Sequence, residues 1–141
     1  MSVKRIGILT SGGDAPGMNP CVRAVVRTAI YHGIECYGIR RGYNGLISGD
    51  IVKLDEKSVG HTINRGGTIL YTARSKEFMT EEGQKKAFST CKFLGLDSII
   101  AIGGDGTFRG ARALSKYGIN VIGIPGTIDN DISCTHYCIG F

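Results

Sequence analysis

Three apolar segments of this chain are each followed at once by a distinctive loop: two loops are rich in glycine, and the third contains one glycine and two aspartates. The segments RIGILT, SIIAI and NVIGI begin at residues 5, 98 and 120, and the loops after them read SGGDAPG, GGDGT and PGTIDND. Short apolar runs bounded by glycine are typical of strands buried in a sheet. The clustering of glycines at these strand ends indicates functional loops rather than low-complexity filler.

Helical patterns follow the first and second of these loops. For the first helix, Asn19 is the predicted N-cap, Pro20 the first helical residue and Gly33 the stop. Its apolar face is formed by Val22, Val25, Val26, Ala29 and Ile30. The helix after GGDGT is predicted to reach about Tyr117, with Gly118 as its stop.

The middle of the chain has weaker patterns. A strand is predicted over Glu35 to Arg40, and a helix from about Glu81 to Leu94, where Ala87, Cys91 and Leu94 recur at helical spacing. Residues 41–80 are predicted to be irregular apart from the short strand IVKL.

Strands that alternate with helices predict an α/β fold. We expect three layers, formed by an open, mostly parallel, Rossmann-like sheet with helices on both faces, in one domain that spans residues 1–141. Ligands of such sheets bind beyond the carboxyl ends of the strands. The three loops should therefore meet at one edge of the sheet.

Composition narrows the classes of partner. The net charge is +5, but basic residues are scattered as singles and pairs, which favours small phosphorylated ligands over nucleic acid. No apolar run of about 18 residues and no secretory signal are present, so we expect neither a membrane span nor export. Five cysteines without a disulfide pattern indicate a reducing, cytoplasmic setting. Cys134, His136 and Cys138 lack a fourth ligand for a metal site.

The first two loops have features of phosphate sites. The glycines of SGGDAPG would let backbone amides approach an anion, although a tight turn explains them equally well. In GGDGT, the glycines at 103, 104 and 106 leave Asp105 as the projecting side chain. Mg²⁺ bound by Asp105 would let a carboxylate lie beside phosphate. The alternative is that Asp105 and Thr107 cap the helix that follows.

The third loop places acids where a base would be needed. In extended backbone, Thr127, Asp129 and Asp131 share one side. One carboxylate can take a proton while the other positions a group, as phosphoryl transfer requires. Arg74, in YTARS, is a candidate to bridge phosphate oxygens, although a loop arginine is more often solvated. The alternative for TIDND is an Asx-rich turn, which explains one aspartate but not the shared side.

The segments TSGGDAPGMN, NRGGT, IGGDGT and PGTIDND together resemble the N-terminal part of bacterial ATP-dependent 6-phosphofructokinases. The resemblance implies transfer of the γ-phosphoryl group of Mg-ATP to the 1-hydroxyl of fructose 6-phosphate, a step of glycolysis. It implies that Asp129 is the base and that Thr127, Ile128 and Asp131 contact or position the sugar. It also implies donor-site roles: Gly13 against the transferring phosphate, Arg74 bridging the phosphates, Asp105 serving Mg²⁺, and Ser75, Gly104, Gly106 and Thr107 lining the nucleotide site.

The resemblance also bears on the phosphoryl donor. Pyrophosphate-dependent relatives usually have aspartate at the position of Gly106 and lysine at that of Gly126. The two glycines of this chain therefore favour ATP. A pyrophosphate-dependent phosphofructokinase and a non-catalytic nucleotide-binding module remain the alternatives.

The resemblance also has implications for allosteric regulation and for the presence of a second domain. Arg23 and Arg27 match part of an allosteric nucleotide site between subunits of a homotetramer, but Glu56 and His61 replace a basic residue and an aspartate there. We therefore expect weak or absent regulation by ADP or phosphoenolpyruvate. Family members continue into a second domain that binds the sugar 6-phosphate, so this chain alone is expected to lack turnover.

Overall fold

The computed structural model describes residues 3–11, 18–59, 70 and 75–126. Within these ranges the strands are β1 (Arg5–Thr10), β2 (Glu35–Ile39), β3 (Ile51–Leu54), β4 (Ser98–Gly103) and β5 (Asn120–Pro125). The helices are α1 (Met18–Tyr31), α2 (Gly42–Ser48), α3 (Glu56–Val59), α4 (Glu81–Leu94) and α5 (Asp105–Ser115), with a 3-10 helix at Glu77–Met79.

The strands form one sheet in the order β3-β2-β1-β4-β5. β1 is parallel to β2 and to β4, and β4 is parallel to β5. Only β3, at the edge, is antiparallel to its neighbour β2. The predicted open, mostly parallel sheet is confirmed. Its parallel order also brings the carboxyl ends of β1, β4 and β5 side by side.

Helices cover both faces of the sheet. Side chains alternate along a strand, so Ile8 and Leu9 of β1 point to opposite faces. Ile8 packs in a core with Met18, Val22 and Val26 of α1. Leu9 belongs to a second core, which contains buried residues of α2, α4 and α5. The three predicted layers are therefore present.

The first helix differs from its predicted start. α1 begins at Met18, so Asn19 is a buried residue of the first turn and the prediction that it is the N-cap is wrong. Pro20 is still accommodated, because backbone N–H groups of the first turn have no acceptor within the helix. Gly33 ends the helix as predicted: it has a left-handed φ of 73°, and the Ile34 N–H donates to the Ala29 carbonyl at 2.8 Å.

Helix α4 has the predicted bounds. The Thr80 hydroxyl caps it by accepting a hydrogen bond from the Gly83 N–H at 3.0 Å, and Gly95 ends it in a left-handed conformation. Helix α5 ends at Ser115, two residues before the predicted end, and a turn leads from it to Gly118, where φ is 92°. Local sequence signals were therefore sufficient to predict that both helices exist and where they lie, apart from the last turn of α5.

The sequence did not predict α2. Its two glycines lower helix propensity, and it begins at Gly42, which like the preceding Arg41 has a left-handed φ near 60°. A Cβ added at Gly45 would overlap the Arg40 carbonyl. The helix forms because Tyr43 and Leu46 are buried beside α4, so tertiary packing overrides propensity here. No helix in the described ranges has the length and apolar character needed to cross a bilayer.

Asp97 joins the amino-terminal ends of β1 and β4. Its carboxylate accepts hydrogen bonds from the backbone N–H groups of Lys4 and Arg5 at 2.8 and 2.9 Å, and its own N–H donates to the Arg5 carbonyl at 2.9 Å. The two accepted backbone bonds lower the pKa of Asp97 below its ordinary value. The ionised carboxylate therefore stabilises the folded chain.

We predict that Asp97→Asn lowers the free energy of unfolding at pH 7 by about 0.5–1 kcal/mol, a modest loss because the carboxylate is exposed. A lowered folded-state pKa adds stability above the unfolded value and loses it as pH falls through the folded value. The difference between the two proteins, measured by urea unfolding, should be constant above about pH 5 and shrink towards pH 2. A difference independent of pH would contradict this role for the charge.

Candidate functional site

Backbone hydrogen bonds join the carboxyl ends of three neighbouring strands. After β1, the Ser11 N–H donates to the Ile102 carbonyl of β4 at 3.0 Å. After β5, the Gly126 N–H donates to the Gly103 carbonyl at 2.8 Å. The segments that follow β1, β4 and β5 therefore start at one edge of the sheet, as predicted. We call this edge, formed by Ser11, Gly103, Gly104 and Gly126, the strand-end site.

Gly103 permits this close junction. A Cβ added there would overlap the Thr107 hydroxyl and the Ser11 carbonyl. Any larger residue would separate the end of β4 from β1 or displace the first turn of α5. The requirement for glycine at this position is therefore steric.

The first turn of α5 faces this edge. Gly104 is its N-cap, so the interpretation of Asp105 and Thr107 as helix caps is wrong. The first N–H groups of a helix lack acceptors within the helix and carry partial positive charge. A Cβ added at Gly106 would have no atom within 4 Å, so there is open space beside this turn. Free N–H groups at a helix N-terminus are suited to binding an anionic group.

The Thr107 side chain is buried in the same turn. Its residue is only 3% exposed, and its hydroxyl has no hydrogen-bond partner among the described residues. A buried hydroxyl without a partner destabilises a folded protein by about 1–3 kcal/mol. Unpaired polar atoms of this kind often mark functional sites. The Thr107 carbonyl, by contrast, accepts a hydrogen bond from the Tyr43 hydroxyl at 2.5 Å.

Asp105 is the carboxylate at this turn. Its side chain is about half exposed and pairs with Arg109, one turn along α5, at 2.8 Å. No cluster of three acidic, histidine or cysteine side chains suited to a metal occurs in the described ranges. One carboxylate still fits Mg²⁺, which commonly keeps several waters and takes its other ligands from substrate phosphates.

Ser75 and the two helical arginines have different surroundings. The Ser75 hydroxyl accepts a hydrogen bond from the Phe78 N–H at 3.1 Å, which stabilises the start of the 3-10 helix. Arg23 is half-buried and Arg27 is exposed, one turn apart on α1. Glu56 is exposed at the start of α3, which packs beside α1.

Several predicted site residues lie outside the described ranges. They are Gly13, Arg74, Thr127, Ile128, Asp129 and Asp131, together with His61 and the Cys134, His136 and Cys138 cluster. Of the residues predicted to line the donor site, the structure describes Ser75 and the consecutive residues Gly104, Asp105, Gly106 and Thr107. It also adds Tyr43, which sequence reasoning missed because YNGL gave no signal beyond an irregular segment.

The sequence pattern of the family described as phosphofructokinase matches residues 5–141. This chain belongs to the phosphofructokinase family. It is 61% identical over 139 residues to the ATP-dependent 6-phosphofructokinase of Halalkalibacterium halodurans, a match that covers 99% of this chain and 44% of that protein. The relative from Paenibacillus macquariensis is 56% identical over 141 residues, with 100% and 44% covered. The chain thus spans less than half the length of these curated relatives.

Solved structures agree with this assignment. Phosphofructokinase of Pichia pastoris in the T-state has a TM-score of 0.92 and 38% identity, over 99% of this chain and 17% of that chain. The Saccharomyces cerevisiae phosphofructokinase has a TM-score of 0.89 and 35% identity, over 97% of this chain and 22% of that chain. A pyrophosphate-dependent phosphofructokinase from Nitrosospira multiformis, at 20% identity, shares the fold with a TM-score of 0.88, over 99% of this chain and 38% of that chain.

We predict that Thr107→Val leaves the free energy of unfolding without ligand unchanged or raises it by about 1 kcal/mol, because it removes a buried hydroxyl that has no described partner. Thr80→Val is the matched control. It removes the hydroxyl that caps α4 and should cost about 1 kcal/mol. Urea unfolding of both variants checks this, and an equal loss for Thr107→Val would contradict the unpaired hydroxyl.

Proposed function

We propose that this chain is the ATP-binding and catalytic part of an ATP-dependent 6-phosphofructokinase. The reaction transfers the γ-phosphoryl group of ATP to the 1-hydroxyl of D-fructose 6-phosphate and gives fructose 1,6-bisphosphate. The observation that carries the proposal is that the segments following β1, β4 and β5 start together at the strand-end site. The similarity to ATP-dependent 6-phosphofructokinases supports the choice of reaction.

Donor binding is proposed at the first turn of α5. Its free amides and the unpartnered Thr107 hydroxyl would donate to phosphate oxygens, and the open space beside Gly106 would admit the phosphates. Asp105 would hold Mg²⁺, which neutralises phosphate charge when it is bound. Its present pair with Arg109 is exposed, and such pairs contribute little, so exchanging it costs little.

Acceptor activation is proposed in the segment that follows Gly126. Thr127 directly follows Gly126, whose N–H donates a hydrogen bond to the Gly103 carbonyl at the strand-end site. Asp129 would take the proton of the sugar 1-hydroxyl, while Thr127, Ile128 and Asp131 contact or position the sugar. Arg74 directly precedes Ser75, and Gly13 follows Ser11 by two residues. Chain connectivity therefore favours one site that contains all these proposed residues.

The acceptor's 6-phosphate is proposed to bind residues in the part of the relatives that this chain does not span. The homotetramer, the cytoplasmic location and effector contacts through Arg23 and Arg27 stay predictions from the family resemblance. Glu56 is exposed beside α1 and would repel an anionic effector, which supports weak regulation. Several-fold activation by ADP at low fructose 6-phosphate would contradict this expectation.

Donor choice can be tested at Gly106 in a chimera, in which this chain replaces the matching residues of the H. halodurans relative. The chimera should bind Mg-ATP more tightly than Mg-pyrophosphate in calorimetric titrations. Gly106→Asp should weaken Mg-ATP binding by about tenfold or more, because it puts a negative charge beside the proposed phosphate site. Folding should be preserved, since a Cβ there meets no atom within 4 Å.

Ser115→Asp adds the same charge at the other end of α5 and should leave Mg-ATP binding within about twofold, because exposed charges separated by more than a Debye length are screened. Tighter binding of pyrophosphate by the parent chimera would establish the alternative donor. An equal effect of the two variants would contradict a phosphate site at Gly106.

Catalysis can be tested at Asp129 in the same chimera. Asp129→Ser should lower kcat by about 10²–10⁴-fold with little change in the KM for ATP, because it removes the proposed base without touching the donor site. The control is Asp97→Ser. Asp97 lies at the amino-terminal ends of β1 and β4, away from the strand-end site, so this variant should keep the kcat of the parent chimera. A folded chimera that binds ATP without turnover, or an unchanged kcat in Asp129→Ser, would favour the non-catalytic module.

A further inference from the structure

Tyr43 of α2 contacts the first turns of α5 although it is far from them in sequence. Its hydroxyl donates to the Thr107 carbonyl at 2.5 Å, in a buried setting. Its ring lies against Gly110, where an added Cβ would be 2.6 Å from a ring carbon. We infer that Tyr43 is a positioning residue that holds the start of α5, and with it Thr107, at the strand-end site.

The same ring also reaches the segment that contains Ser75. Tyr43 and Phe78 are stacked, with ring centroids 4.2 Å apart and planes within 10°. The Phe78 N–H donates a hydrogen bond to the Ser75 hydroxyl at 3.1 Å. A chain of contacts thus runs from Ser75 through Phe78 and Tyr43 to Thr107. It joins two segments that are more than 30 residues apart and are both proposed to bind the donor.

The hydroxyl of Tyr43 has a directional role that its ring alone would lack. Tyr43 is only 5% exposed, and a buried hydroxyl destabilises the fold unless it is hydrogen-bonded. Burial also raises the pKa of Tyr43 above its ordinary value, so the phenol stays a proton donor at physiological pH. The bond to a main-chain carbonyl therefore restrains the turn itself rather than a mobile side chain.

The location of Thr107 explains why this restraint matters. An added Cβ at Gly103 would overlap both the Thr107 hydroxyl and the Ser11 carbonyl, so the first turn of α5 lies tightly against the ends of β1 and β4. A small displacement of the turn would move the Thr107 hydroxyl and the free amides of α5 together. The inference rests on the proposed function, because those groups are the proposed donors to ATP phosphates.

Tyr43→Phe isolates the hydroxyl, since it keeps the stack on Phe78 and the packing on Gly110. In the chimera, hydrogen exchange of amides 105–111 should become about threefold to tenfold faster, and the Kd for Mg-ATP should rise by a similar factor. Tyr37→Phe is the matched control. It also removes one phenol oxygen, whose contact with Glu35 in β2 is long, 3.5 Å, and it should change neither quantity.

Two further variants separate positioning from general loss of stability. Gly110→Ala should force the Tyr43 ring away and reproduce both effects, because the new methyl group overlaps the ring. Ile99→Val removes a methylene group from the buried core near the amino-terminal end of β4, away from Gly103, and should lower the melting temperature. At a comparable loss of melting temperature, Ile99→Val should leave the Kd for Mg-ATP unchanged.

The outcomes distinguish the inference from the proposed function. Unchanged exchange of α5 amides in Tyr43→Phe would overturn the inference, as would faster exchange with an unaltered Kd. A similar rise of Kd in Ile99→Val would also overturn it, because stability alone would then explain the effect. A parent chimera that does not bind Mg-ATP would overturn the proposed function instead, while the exchange measurement would still decide whether Tyr43 restrains α5.

Discussion

The parallel pairing of β1 with both β2 and β4 is the constraint on which the rest of the structure depends. It places β1 at the centre of the sheet and aligns its carboxyl end with that of β4. Gly7 lets this centre be covered closely, since a Cβ there would lie 2.8 Å from a methyl carbon of Ile99 and 3.0 Å from one of Ile39. Without this register, the segments that follow β1, β4 and β5 would not start at the same edge.

The site at that edge combines tight backbone packing with unused polar groups. Gly103 and Gly126 bring the strand ends within hydrogen-bonding distance, whereas the free amides of α5 and the Thr107 hydroxyl have no partner among the described residues. Leaving such groups unpaired costs stability in the free protein. A preorganised set of donors, in return, needs little rearrangement when an anion binds.

The core on the α2, α4 and α5 face supports this edge. Tyr43 and Phe78 belong to the same buried cluster as residues of α4 and α5, so the site is built against packed side chains rather than on a free loop. The left-handed backbone at Arg41 and Gly42 turns the chain from β2 into α2, and this turn places Tyr43 in the buried cluster. Local backbone strain and distant packing therefore act on the same few residues.

Sequence alone determined what depends on short-range patterns. Apolar runs with glycine at their ends predicted β1, β4, β5 and the edge where they meet, and the helical spacing of Ala87, Cys91 and Leu94 predicted α4. The GGDGT and TIDND segments indicated the chemistry. Only the tertiary structure decided that GYNGLIS is a helix, that Asn19 lies inside α1, and that Tyr43 bonds to Thr107, 64 residues away. Those outcomes depend on burial against distant side chains, which no local propensity encodes.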